Sequence, residues 1–230
     1  MFSAFRVQVP LLPGRSHPAH SAEMSTQFLF GEWVECLENT GEWWLVQRRE
    51  EQYPAWVRNS GLVAVGSNEE PGHFQHALIQ QTQGDLGLVW TSMGSKIAAG
   101  NQAPAPLIEW AESWLGVPYL WGGKSVMGID CSGLSQLFYE SKGWMLPRDA
   151  AQQSEVGELV SWLFESKPGD LVFFDNEEGR IVHVGILLSM NQVLHAAGMV
   201  RIDKIDQQGI FRTDEGRYSH SLRLIRRPGF

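Results

Sequence analysis

At 230 residues the chain has room for one large domain or two small ones. Its formal charge of −8 speaks against nucleic acid or an anionic membrane as the main partner, because both would repel it. No apolar run approaches the roughly 20 residues that a membrane-spanning helix needs.

Met1 to Val9 carry a single Arg, and Pro10 and Pro13 interrupt the one apolar stretch nearby. A secretory leader wants a basic start and an unbroken apolar core, so this reading expects a cytoplasmic protein. From there to residue 66, short β-rich runs alternate with turns. Residues 6–12 end at Pro13-Gly14, and 27–30 precede Gly31. Residues 33–37 precede Glu38-Asn39-Thr40-Gly41, and 43–48 and 55–57 follow. Short strands at close spacing with Gly and Asn turns predict a small barrel over 1–66.

Residues 67–104 read as a connection. Asn68-Glu69-Glu70-Pro71-Gly72 is a turn or linker, and 94–106 is rich in Gly, Ala and Pro. Between them, 78–81 and 86–91 read as strands that either close the barrel or bridge to the next unit.

From Pro106 the period becomes helical. Leu107, Ile108, Ala111, Trp114 and Leu115 share a face, with Gly116 and Pro118 as the stop. Leu134, Leu137 and Phe138 mark a second amphipathic helix that starts near Cys131 and ends at Gly143. Strands follow at 170–174, 181–188 and 192–196. Helices first and an antiparallel sheet after them give an α+β order for 105–230.

The two cysteines sit in different settings. Cys36 alternates with Val34 along a strand and reads as a small core residue. Cys131 lies in Gly128-Ile129-Asp130-Cys131-Ser132-Gly133-Leu134, where a loop enters a helix. Unpaired N–H groups and the helix dipole there are expected to favour a thiolate.

Of the seven histidines, His17, His20, His73, His76 and His220 fall in polar, turn-like or unassigned stretches and read as ordinary surface residues. His183 shares a strand face with Ile181 and Gly185, and His195 lies on the next strand. For both rings to face one way, paired residue numbers must add to an even sum. The turn near Met190 must then hold an odd count or a bulge. A helix-capping Cys followed by two strand histidines suits a nucleophile, a base and a group that orients the base. The same three side chains are also zinc ligands, although no close-spaced ligand pair accompanies them.

Several motifs recur in a familiar order: Gly116-Val117-Pro118-Tyr119-Leu120-Trp121-Gly122-Gly123, Asp130-Cys131-Ser132-Gly133-Leu134 and Leu146-Pro147-Arg148-Asp149-Ala150. Pro168-Gly169-Asp170-Leu171-Val172-Phe173-Phe174, His183-Val184-Gly185 and His195-Ala196-Ala197-Gly198 complete the set. Across about residues 105–228 they resemble the NlpC-type family of peptidoglycan cysteine endopeptidases. The order of short strands in 1–66 resembles a bacterial SH3-like domain. The resemblance implies a papain-like α+β peptidase domain, helices packed on an antiparallel sheet, behind a small SH3-like β-barrel. It makes Cys131 the nucleophile, His183 the base, His195 the orienting group and Tyr119 an oxyanion helper. It implies no cofactor, no metal and no obligate protein partner.

An SH3-like domain in front, with Asp and Ser flanking the Cys, resembles the γ-D-glutamyl-L-diamino acid endopeptidase subgroup. The expected substrate is a peptidoglycan-derived peptide, L-Ala-γ-D-Glu-diamino acid, met in cell-wall recycling. Asp130 and Ser132 would bind its free α-amine, and Tyr53 would complete the pocket. Arg148 is a candidate for a substrate carboxylate. Plainer roles stand beside these: a helix N-cap for Asp130, a first-turn cap for Ser132, a barrel-surface aromatic for Tyr53, and an ion pair with Asp149 or a neighbour for Arg148. A non-catalytic wall-binding protein, or an amidase or acyltransferase on the same fold, are the alternative functions.

Overall fold

The protein is described by a computed structural model covering residues 4–66, 69–75, 79–85, 87–97 and 104–229. Apolar residues at alternate positions close the first unit around Val7, Leu12, Phe28, Val34, Val46, Ala55, Val57 and Leu62. The strands are β1 (Ala4–Val7), β2 (Leu11–Arg15), β3 (Met24–Leu29), β4 (Trp33–Thr40), β5 (Trp43–Gln47), β6 (Ala55–Arg58) and β7 (Leu62–Ala64). They form one seven-stranded sheet in the order β3-β2-β6-β5-β4-β1-β7. The expected single strand over 6–12 is two strands, and Pro13 and Gly14 lie inside β2 rather than ending a strand. Cys36 packs half-buried against this barrel core.

The connection holds β8 (His73–Phe74), β9 (Ile79–Gly84), β10 (Gly87–Ser92) and β11 (Lys96–Ile97). β9 pairs with β10 and β8 with β11, and neither pair joins the barrel sheet. Met93, just after β10, packs in one core with Leu29 of β3 and Leu137 of the second unit. Asn68, His76, Leu78, Leu86 and residues 98–103 lie outside the described residues.

The second unit begins with α1 (Leu107–Trp114), then the short pair β12 (Lys124–Ser125) and β13 (Gly128–Ile129), then α2 (Cys131–Ser141) and α3 (Ala150–Gln153). Its sheet comprises β14 (Glu158–Val160), β15 (Leu171–Asp175), β16 (Ile181–Ser189), β17 (Gln192–Ala197), β18 (Met199–Ile205), β19 (Gly209–Arg212) and β20 (Arg217–Arg227). The strands run antiparallel in the order β14-β20-β15-β16-β17-β18-β19. Trp110, Trp114, Leu134, Leu137 and Phe138 pack on the face carrying Val184, Ile186 and Leu194. Among the described residues, no helix is long and apolar enough to cross a membrane.

The amphipathic reading of α2 understates its burial. Every one of its residues is buried, because the polar face meets the barrel. Glu140 accepts from Arg48 Nη2 and from Lys96 Nζ, both at 2.7 Å. Arg48 also pairs with Glu32 at 2.9 Å, and Lys124 reaches Glu32 at 3.4 Å. Gln136 donates to Glu51 at 2.9 Å. Buried charges need such partners, since each is costly to desolvate alone. This seam seats the barrel against the helix that starts at Cys131.

Candidate active site

Asp130 stands at the N-cap of α2 with extended backbone, and its Oδ1 accepts the Gly133 N–H at 2.7 Å. A side chain at position 133 would press within 2.4 Å of the Gly123 carbonyl, so glycine lets the helix start against that loop. Cys131 is the first helical residue and is buried. The backbone N–H groups of Val184 and Ser132 face its thiol and favour the charged form, which places it beside the strand residue directly after His183.

The expected thiolate is not what this setting favours. Burial first, and the Asp130 charge second, push the Cys131 thiol up to about 12, against the pull of those N–H groups and Arg148. Desolvation outweighs the helix terminus, and the resting group is a protonated thiol.

β16 and β17 hold the histidines. Gly185 pairs with His195 and Leu187 with Val193, then the register shifts before Ser189 meets Gln192. That bulge supplies the even sum and puts both rings on one face. His183 Nε2 lies 2.9 Å from His195 Nδ1. Position 185 must be small, because a Cβ there would meet Val193 Cγ2 at 2.5 Å. Both histidines are depressed below their ordinary range. Burial is the main cause for each, with the neighbouring His195 and His220 adding to it for His183. Both are therefore neutral near pH 7.

Two groups at this site escape the sequence reading. His195 Nε2 lies 2.9 Å from Asp203 Oδ2, and Arg201 donates to the same carboxylate at 2.5 and 2.8 Å. His195 is thus itself held from behind, by Asp203. A hairpin placed at Ala197-Gly198 would have found Asp203, since Arg201 and Asp203 alternate onto the face of His195 across β17–β18. His220 is not an ordinary surface residue either. Its ring stacks on His183 with centroids 4.2 Å apart and planes inclined by 23°.

The three histidines offer nitrogens within 4.8 Å of one another. A zinc ion must lie in the plane of each ring it binds, about 2.0–2.1 Å from the nitrogen. The stacked His183 and His220 rings cannot both meet that condition, so these three histidines do not fit a common zinc ion.

Asp130, Ser132 and Arg148 form a closed group. Arg148 is buried and grips Asp130 through Nη1 at 3.0 Å and Nη2 at 2.6 Å, with Ser132 Oγ at 2.8 Å and Thr26 Oγ1 at 3.1 Å. Asp130 also accepts from the Gly122 N–H and Ser132 Oγ. Arg148 is therefore occupied by its own protein and is not presented as a fork for a substrate carboxylate. Tyr53 hydrogen-bonds Ser25 and Asp149, and burial raises its hydroxyl's pKa. Tyr119 is half-buried, and burial first, then its neighbours Cys131 and Asp130, push its hydroxyl up to about 12.

A cleft of about 520 Å³ runs between the two units. Ser16, Glu23, Ser25 and Tyr53 of the barrel face Trp121, Asp130, Ser132, Arg148, Asp149 and Val182 across it. The Trp121 indole N–H donates to Glu23 at 2.6 Å, closing one side. Asp130 and Ser132, in its wall, bracket Cys131. A neutral thiol, a neutral imidazole pair and a peptide-sized cleft together suit acyl transfer from an amide.

The family model described as NlpC/P60 family matches residues 116–214. One described as Bacterial dipeptidyl-peptidase Sh3 domain matches 14–62. The chain is 30% identical to the gamma-D-glutamyl-L-lysine dipeptidyl-peptidase of Bacillus subtilis (strain 168), over 75% of this chain and 72% of that one. The Bacillus cereus protein of the same name is 26% identical, over 76% of this chain and 67% of that one. The crystal structure of an NlpC/P60 family protein from Bacillus cereus superposes with a TM-score of 0.72 at 21% identity, over 98% and 99% of the two chains. That likeness concerns the fold.

Proposed function

The chain belongs to the NlpC/P60 family of cell-wall cysteine peptidases, and from that premise we propose that it cleaves the γ-D-glutamyl–diamino acid bond of stem peptides with a free N-terminal L-Ala. The observation that carries the reading is the 2.9 Å His183–His195 contact, on the strand whose Val184 adjoins the Cys131 thiol. In this reading Cys131 is the nucleophile and His183 its base. His183 Nε2 is engaged with His195, so Nδ1 is left to take the thiol proton as sulfur attacks the amide carbonyl. The pair starts uncharged, and proton transfer accompanies attack instead of preceding it. Backbone N–H at the start of α2 and the Tyr119 hydroxyl steady the oxyanion. His183 then returns the proton to the leaving amine, and water releases the acyl group.

The substrate end of the reading rests on charge. Arg148 balances Asp130, so Asp130 and Ser132 shape the pocket while the carboxylates left for an ammonium are Asp149 and Glu23. Two relatives carry a γ-D-glutamyl-L-lysine dipeptidyl-peptidase name, which supports the bond proposed. A free amine arises only after the peptide leaves the glycan, which fits a role in recycling. The test is mass spectrometry of products from L-Ala-γ-D-Glu-diaminopimelate beside its N-acetylated form. Leaving a desolvated carboxylate unpaired costs on the order of 2–5 kcal/mol, so the acetylated peptide should be cleaved at least about 30-fold more slowly. Equal cleavage of the two would remove the amine requirement. Cleavage of neither, with intact binding, would favour the wall-binding alternative.

A further inference from the structure

We propose that Asp203, clamped by Arg201, is a positioning residue that sets which nitrogens of the histidine pair carry protons. The proposal rests on the reading of Cys131 and His183 as nucleophile and base. A neutral imidazole has one donor nitrogen and one acceptor nitrogen. His195 has both engaged, Nε2 with Asp203 and Nδ1 with His183. Taken alone, two linked imidazoles can run their hydrogen bond in either direction. In one direction His183 Nε2 donates and its Nδ1 lone pair is bare. In the other, His183 Nε2 accepts, its proton sits on Nδ1, and it cannot take a proton from Cys131.

An ionised carboxylate at the far end breaks the tie, because it can only accept. Asp203 receives two N–H bonds from Arg201, at 2.5 and 2.8 Å, besides the His195 contact. Burial pushes this carboxyl up, but the bonds from His195 and Arg201 outweigh it and leave the group below its ordinary value. Arg201 is itself held by Asp214 at 3.0 Å, and Arg212 also pairs with Asp214. His195 Nε2 must then hold a hydrogen and its Nδ1 must accept, so His183 Nε2 donates and Nδ1 is the base. The strand register builds the line: His195 pairs with Arg201, and Asp203 is two residues further along the same face.

The test reads the protons directly. In protein labelled with ¹⁵N-histidine, the ring-nitrogen spectrum near pH 7 should show His183 protonated at Nε2 and bare at Nδ1. In Asp203→Asn the amide NH₂ must face either the His195 N–H or the Arg201 fork, so no orientation satisfies all three donors. The His183 signal should then become a mixture of tautomers. Replacing the carboxylate directly behind a catalytic histidine lowers kcat by about 10⁴-fold. Asp203 is one ring further away, so a fall of about 10–100-fold is expected, with KM within about twofold. Alkylation of Cys131 by iodoacetamide should slow in parallel.

The pH profile of that alkylation also moves. The charged and titratable groups around the pair are His220 from β20, Arg201 and Asp203 from β18, and Arg212 from β19, with Asp214 pairing to both arginines. Arg201→Gln, which keeps the carboxylate, serves if Asp203→Asn does not fold and should show a smaller fall in kcat and a smaller admixture of the second His183 tautomer. A wild-type His183 protonated at Nδ1 overturns the proposal. So does an Asp203→Asn variant whose tautomer and kcat match the wild type. If instead His183→Ala leaves Cys131 alkylation unchanged, the nucleophile–base reading fails, whatever the tautomers show.

Discussion

On the sheet side of the cleft, His183, His195 and Asp203 stand in a row because three neighbouring strands carry them at fixed register. On the barrel side, the wall is held by side chains far apart in sequence: Arg48 on Glu140, Lys124 on Glu32, Arg148 on Thr26. Backbone pairing aligns the first wall whatever the exact side chains, whereas ion pairs and single contacts seat the second. In the proposed reading, chemistry sits on the part whose geometry is hardest to lose, and substrate selection sits where the two units meet. Disturbing the row should move rate more than stability, and disturbing the seam should do the reverse.

The largest effects belong to the row. Cys131→Ala and His183→Ala should each lower kcat/KM by at least about 10⁴-fold, because nucleophile and base act as one unit. His195→Ala should leave a measurable remainder. If it is as inactive as Cys131→Ala while still folded, His195 does more than orient. The row also carries a pH signature. Both histidines titrate below their ordinary value of about 6.5 in the folded chain. Their neutral forms support stability above that pH, and the support is lost as pH falls below it toward the folded values. Cys131 has the opposite sign: its raised folded value means support below an ordinary thiol's pKa of about 8.5, lost as pH rises above it. A Tm that kept rising from pH 6.5 down to 5 would contradict the buried neutral pair.

At the seam, Glu140→Gln leaves Arg48 and Lys124 facing only Glu32 and Glu51, and takes from Lys96 the carboxylate it meets. Removing one partner from a buried ionic group costs about 3–5 kcal/mol. Calorimetry should show Tm falling sharply. Below the transition, kcat should hold while KM rises as the barrel wall loosens. A variant that loses kcat at unchanged Tm would break the division between the walls.

Gly185→Ala tests the boundary between the two behaviours. The new methyl would overlap Val193 on β17, and overpacking of this kind costs about 1–3 kcal/mol. Relief moves β17, and His195 with it, so rate and stability should fall together. The row was also the more legible part in the sequence. Alternation placed both histidines, and parity required an odd-count turn or a bulge, of which the bulge is seen between Leu187 and Ser189. Asp203 and His220 were missed because 199–205 and 217–227 are rich in charged and polar residues, and they become strands only through their neighbours. The seam was illegible for a different reason. Nothing local tells Glu140 that Arg48 will meet it, and the polar face of α2 looks solvated until the barrel covers it. Arg148 shows the same gap: its motif is visible, but its partner is fixed only once the loop before Cys131 folds under it.

The smallest effect expected is from Tyr53→Phe, and it is the sharpest probe of the barrel wall. The hydroxyl bonds Ser25 on its own unit and Asp149 on the other, so it spans the cleft without touching the seam's charges. One such hydrogen bond contributes about 0.5–1.5 kcal/mol, and Tm should shift by little. Asp149, whose carboxyl burial raises against the pull of Arg148, would lose a fixed donor on one side. If Asp149 meets the substrate ammonium, its less rigid placement should raise KM for the free-amine peptide by about 2- to 10-fold. The N-acetylated peptide, which makes no such pair, should be cleaved at its old slow rate. A matching loss on both peptides would mean that Tyr53 shapes the cleft as a whole. No loss on either would return Tyr53 to the plain role of a barrel-surface aromatic, leaving Glu23 as the remaining barrel carboxylate in the cleft.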